Sequence, residues 1–305
     1  MSRRAAQPAS ARSENAIGLI AAHFTGQPRT MPERPTVQHL MKCIFTAFLL
    51  LTTPIGGTAV AAQPTESAIA AAVANTRRSA ADRERDETSR PVEVLSFFGV
   101  EPGMRVLDIR SGGGYYSEIL SYAVGPNGGV VAHINDIDEK YHAEAIAERY
   151  RGDRLPNTKR LSSNAPNLKL GNEAFDMVLM IMTYHDIYYV SEANPKHPKI
   201  DRDHYFAQIQ RSLKPGGILA IVDHSAKPGT EQRAAQDLHR IDEAFAKKDI
   251  EAAGFVFDAE SNALRNSDDD RTMLVFDDRI RRRTDRFVYR FIKAKARNGT
   301  SPKHR

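Results

Sequence analysis

The chain has 305 residues, of which 41% are apolar and 27% charged. These are ordinary fractions, so most of it is expected to fold, as one large domain or two small ones, and a single cysteine leaves no internal disulfide to staple it. The formal charge of +5 is unevenly held. From Arg279 onward eleven Lys/Arg stand against Asp285 alone, so the rest of the chain is net acidic; such a run reads as a solvated basic tail, and no specific nucleic-acid partner is expected.

Residues 1–40 are polar, arginine-bearing and patternless, and read as an N-terminal extension outside the fold. Residues 41–62, MKCIFTAFLLLTTPIGGTAVAA, carry a lysine, an apolar run and then small residues ending in Ala59-Val60-Ala61-Ala62. That is the layout of a secretory signal peptide. The apolar run is too short, and too soon followed by Pro54 and glycines, for a transmembrane helix. Cys43 precedes the run, which disfavours a lipid anchor. The expectation is a periplasmic or secreted protein starting near Ala62 or Gln63, with no stable membrane span after cleavage.

Residues 63–90 are helix-like and charged. Pro91 suits a helix start, and PVEVLSFFGV supplies an apolar face. RVLDI predicts a short strand, then come glycines, and YYSEILSYAV predicts a helix that GPNGG breaks. VVAHI is a second strand, and DIDEKYHAEAIAERY is a helix with its acids at the favoured end. FDMVLMIM has no polar alternation, as in a central parallel strand. DHYFAQIQRSL is a helix that the Lys214-Pro215-Gly216-Gly217 turn ends, ILAIVDH a buried strand, EQRAAQDLHRIDEAFAKKDIEAAG helical, and FVFDAES and RFVYRFI late strands. The folded domain is taken as 91–293 and the basic tail, read as disordered, as 294–305. Strands alternating with helices predict an α/β fold with a mainly parallel sheet, whose ligands bind beyond the carboxyl ends of its strands.

VLDIRSGGGYYSE, then GGVVAHIND, FDMVLMIMTYHD and LKPGGILAIVDHSA, over roughly residues 82–293, resemble the class I S-adenosylmethionine-dependent methyltransferases. GGGYYSEIL, YHDIYY, IVDHSAKPG and LHRID look more narrowly like predicted, uncharacterised bacterial methyltransferases that carry secretion signals. The resemblance implies a Rossmann-like, mainly parallel seven-stranded sheet with helices on both faces. It implies methylation of a small molecule with S-adenosyl-L-methionine as cofactor.

By that resemblance Ser111, Gly112, Gly113, Gly114 and Tyr115 line the cofactor site, and Asp108 orders the loop. Arg110 stands where the usual pattern has its first glycine. A guanidinium beside a sulfonium is repulsive, so Arg110 either points away or pairs with the methionine carboxylate. Asn135 or Asp136 would hold the ribose; the alternative for either is capping the next helix.

For chemistry the candidates are His185 and Asp186 beyond FDMVLMIM and His224 beyond ILAIVDH, histidine being the proton carrier near neutral pH. Asp223, His239, Arg240 and Asp242 are weaker candidates. Capping or burial explains a His–Asp pair as well. Tyr115, Tyr116, Tyr184, Tyr188 and Tyr189 line an aromatic pocket or simply pack. The histidine spacing matches no compact ligand motif, so no metal is expected. The long charged stretch between the last two strands either covers the acceptor site or is plain surface. Two rival readings remain: a non-catalytic secreted binding protein on the same fold, and a nicotinamide-dependent oxidoreductase, which the glycine order disfavours.

Overall fold

A computed structural model describes residues 64–190 and 199–294. The expected extension, the signal peptide and nearly all of the basic tail lie outside the described residues. Helices α1 (Pro64–Val73), α2 (Ala80–Ser89) and α3 (Pro91–Phe98) lead into the alternation β1 (Arg105–Ile109), α4 (Tyr115–Val124), β2 (Gly129–Ile134), α5 (Asp136–Arg149), β3 (Thr158–Ser162) and β4 (Phe175–Ile181). Then follow α6 (Arg202–Ser212), β5 (Leu213–His224), α7 (Arg233–Leu238), α8 (Glu243–Ala252), β6 (Phe255–Ser261) and β7 (Arg286–Lys293).

The strands form one sheet of seven in the order β3-β2-β1-β4-β5-β7-β6. All pairings are parallel except those of β7, which runs antiparallel between β5 and β6. The chain reverses its direction of winding between β1 and β4, and such a switch point opens a crevice at the carboxyl ends of the strands.

Alternation along the central strands feeds two cores. Leu107, Val178, Met180, Leu219 and Ile221 face α6 and α8, where Phe206, Ile209, Ala246 and Ile250 meet them. Val106, Met177, Leu179, Ala220 and Val222 face α1, α3 and α4. The N-terminal helices are therefore part of the domain. Arg78 is buried in an ion pair with Asp86 at 2.6 Å, and Asp86 also accepts the Tyr115 hydroxyl at 2.6 Å, which ties α2 to α4.

Two elements differ from the sequence reading. Strand β3, TKRLS, is polar and half exposed, so it lacks the hydrophobic pattern of the other six. And Lys214-Pro215-Gly216-Gly217 is not a turn before β5. It lies inside it, as a bulge between the Phe175–Leu213 and Met177–Ile218 pairings.

Candidate functional site at the carboxyl rim

The glycine loop leaves β1 at Arg110, whose φ of 53° is left-handed. Its N–H donates to His133 Nδ1 at 3.2 Å. The other nitrogen, His133 Nε2, donates to the Ser163 carbonyl at 3.0 Å. His133 is therefore held as the neutral tautomer, and burial pushes its pKa down to about 4. Ser111 is tied to the same strand end, its N–H and hydroxyl both reaching the His133 carbonyl. Asp108, fully enclosed, accepts the Ser117 hydroxyl at 2.6 Å, and burial lifts its pKa to about 7. That bond ties β1 to α4 across the loop.

The open faces of the glycines are taken up by protein. A Cβ on Gly114, φ 77°, would lie 2.6 Å from Tyr150 Oη and 2.8 Å from Arg149 Cδ. One on Gly113 would lie 3.0 Å from Ala145 Cβ. Arg149 Nε donates to the Gly113 carbonyl at 2.5 Å, and the same guanidinium pairs with Asp82 at 2.8 Å and with buried Glu118. The missing side chains thus admit α5, and Gly112 faces the His142 ring of that helix. Tyr115 is likewise spent on Asp86, and Asn135 on the N–H groups of Ile137 and Asp138, a helix cap.

Asp136 behaves differently. It is exposed and accepts the Asn164 carboxamide at 3.0 Å, on the wall of an open groove of about 410 Å³ that Ser162, Ser163, Asn167 and Lys169 also line. The groove lies beyond the carboxyl ends of β2 and β3.

Next to it the rim is charged. The Arg110 guanidinium crosses from β1 to Asp186, which follows β4, and lies 3.7 Å from Asp138 of α5. Its Nε is buried with no partner in the protein, and so is the Thr183 hydroxyl at the end of β4. Burial alone would raise the Asp186 pKa, but His185 and Arg110 outweigh it and hold the carboxyl well below the usual range. His185 opens a 3₁₀ turn, His185–Ile187, and its Nδ1 is 2.7 Å from Asp223 Oδ1 while its N–H donates to Asp223 Oδ2 at 2.8 Å. Burial opposes its protonation; Asp223 and Asp186 overcome that and raise its pKa. His224 sits behind, Nδ1 on Thr284 at 2.7 Å, kept neutral by burial and by His185.

His239 caps α7 at a left-handed φ of 52°, its ring 4.4 Å from Tyr189 and 5.0 Å from Phe276. Phe276 belongs to the long stretch before β7, so that stretch reaches the edge of the rim at this residue. Arg240 and Asp242 do not face it. Arg240 is buried in a two-bond pair with Asp269, and Asp242 caps α8. Tyr184 is core, donating to Asp249 at 2.7 Å.

The sequence reading brought forward Arg110, His185, Asp186 and His224, and all four converge. It missed His133, Asp138 and Asn164. His133 alternates inward on a strand already identified, and that parity was the available signal; Asn164 follows the unrecognised β3.

Residues 107–221 match the family described as a methyltransferase domain. The ubiquinone/menaquinone biosynthesis C-methyltransferase UbiE of Shewanella piezotolerans is 29% identical over 142 residues, 46% of this chain and 51% of that protein. That of Teredinibacter turnerae is 29% identical over 147 residues, 48% and 53%. The chain spans about half the length of the curated relatives it matches. Among solved structures, a SAM-dependent methyltransferase from Aquifex aeolicus covers 70% of this chain and 97% of its own at 22% identity, TM-score 0.48. One from Mesorhizobium loti covers 68% and 99% at 14%, TM-score 0.47. The matched stretch runs from β1 into β5, through the glycine loop and the charged end of β4, and stops just short of Asp223 and His224; over that stretch the chain is similar to a methyltransferase domain.

Proposed function

We propose that the protein is an S-adenosylmethionine-dependent methyltransferase acting on a small-molecule acceptor in a periplasmic or secreted setting. The observation that carries this is a run of contacts. It leads from His185 through Asp186 and Arg110 to Asp138 at the start of α5, two residues from Asp136, which lines the groove with Asn164.

The residues fit the cofactor. Asp136 and Asn164 offer an acceptor and a donor suited to a ribose diol and an adenine edge. The partnerless Arg110 Nε and Thr183 hydroxyl offer donors for the amino-acid end. The cofactor supplies an electrophilic methyl group on sulfur. Arg110 is screened from that positive centre by Asp186 and Asp138, so its charge is already balanced. Asp223 fixes the His185 ring with Nε2 at the rim, where it can take a proton from an acceptor. Tyr189, His239 and Phe276 form a half-open aromatic edge beside it. Rim and groove offer places that align the reactants, which is much of what a direct displacement needs.

Calorimetric titration of the full-length chain with S-adenosylmethionine, S-adenosylhomocysteine and NAD tests this. The expected result is micromolar binding of the adenosyl ligands and none of NAD. Asp136→Ala is expected to weaken that binding about tenfold, one charge-assisted hydrogen bond. Failure of both adenosyl ligands to bind would leave a non-catalytic binding protein on this fold.

A further inference from the structure

We propose that the rim is also a divalent transition-metal site, with His185 Nε2, the Asp186 carboxylate and His239 Nδ1 as its protein ligands. The assignment deepens the acceptor end of the function proposed above. Its catalytic meaning rests on that reading, whereas the binding of metal does not.

Three observations carry it. The first is distance. The three donor atoms lie within 4.8 Å of one another. His185 Nε2 is 3.4 Å from Asp186 Oδ1, and His239 Nδ1 is 3.8 Å from the same oxygen. Around a cation with bonds of about 2.0–2.2 Å, adjacent donors stand roughly 3.0–3.6 Å apart. His185 and Asp186 already meet that spacing, and His239 needs only a small approach.

The second is orientation. Metal-bound histidines usually give their other ring nitrogen to a carboxylate, which fixes the tautomer and raises the basicity of the ligand nitrogen. Asp223 stands in that relation to His185 at 2.7 Å, itself wholly buried. Arg110 holds Oδ2 of Asp186, so Oδ1 is the oxygen turned toward both histidines.

The third is access. His185 is buried, whereas the His239 and Asp186 side chains keep 18% and 14% of their surface exposed, so the cluster has a protein-facing back and a narrow opening to solvent. Three protein ligands with open positions form an arrangement that leaves room for an exchangeable one. Two imidazoles and one carboxylate favour zinc, iron, cobalt or manganese over magnesium or calcium. With the metal bound, the Nε2 lone pair is spent on it, so the cation, holding an oxygen or nitrogen of the acceptor beside Tyr189 and Phe276, lowers its proton affinity in place of proton transfer to His185.

The alternative is a metal-free imidazolium shared by Asp223 and Asp186. Cobalt(II) chloride distinguishes the two. Titrated into the untagged full-length chain, it is expected to give one equivalent of a visible d–d band that zinc(II) displaces. His239→Asn, which tolerates the left-handed backbone, is expected to weaken cobalt binding at least tenfold with an unchanged circular dichroism spectrum. Asp186→Asn is expected to do the same, and serves if His239→Asn does not fold. His204→Ala removes an exposed histidine of α6 whose ring bonds the Pro166 carbonyl and is not among the three ligands, and should leave binding unchanged. No stoichiometric band, or a band that survives both ligand variants, overturns the site. The adenosyl titration above is run on the same samples. Cobalt binding without adenosyl binding keeps the metal site and sinks the methyltransferase reading. Adenosyl binding without cobalt binding does the reverse.

Discussion

His133 and Asp108 sit on neighbouring strands just behind the glycine loop, and their ionisation pulls stability in opposite directions with pH. His133 must be neutral, because Nδ1 accepts the Arg110 N–H. Its folded pKa, about 4, is below the ordinary 6.5, so its contribution is complete above 6.5 and is lost as pH falls toward 4, by up to about 3 kcal/mol. Asp108 is the reverse. With a folded pKa of about 7 against 3.8, its contribution is complete below 3.8 and lost as pH rises through 7, by up to about 4 kcal/mol. The two windows overlap, so in the parent the opposing slopes largely cancel between about pH 4 and 6.5, and chemical denaturation across pH 4–8 should separate them only in the variants. Asp108→Asn should leave a stability that rises with pH and exceeds the parent's at pH 8, and His133→Gln one that falls as pH rises. An Asp108→Asn protein no more stable than the parent at pH 8 would mean that Asp108 is solvated.

Helix α5 decides what the glycine loop is for. The sequence called for glycines so that a ligand could approach; in the structure their bare faces admit Ala145, Arg149 and Tyr150. Gly114→Ala would combine a left-handed φ with a contact of 2.6 Å, and is expected to cost about 2–3 kcal/mol in thermal unfolding. An unchanged melting temperature would show that α5 does not pack there. At this scale the sequence was legible wherever an element is buried on a regular period. Six strands and the helices carried that pattern. TKRLS did not, because an edge strand with polar, half-exposed residues shows no period. Nor could Pro215 and two glycines be read as strand, because a bulge uses the residues that turns use.

The whole sheet depends on its last strand. β7 is inserted between β5 and β6, with Phe287, Tyr289 and Phe291 on one core and Val288 on the other. A chain ending at Asp285 would strip β6 of its strand partner, bare one edge of β5 and open both cores. It is expected to lose its cooperative thermal transition and to be recovered in the insoluble fraction. A soluble product with a native-like transition would contradict that account. Among the described residues no helix is long and apolar enough to cross a membrane.

By itself the sequence determined the alternation of elements, the buried parallel strands, the glycine loop after β1, and the charged residues at the ends of β4 and β5. All of these follow from local period and composition. The tertiary structure decided which of those residues meet. Arg110, Asp138, Asp186, His185, Asp223 and His239 come from five segments far apart in the chain. No spacing rule links them, because only the parallel sheet, by aligning its carboxyl ends, brings them to one rim. The same is true of the glycines: their freedom was visible in the sequence, but that helix α5 fills it was not.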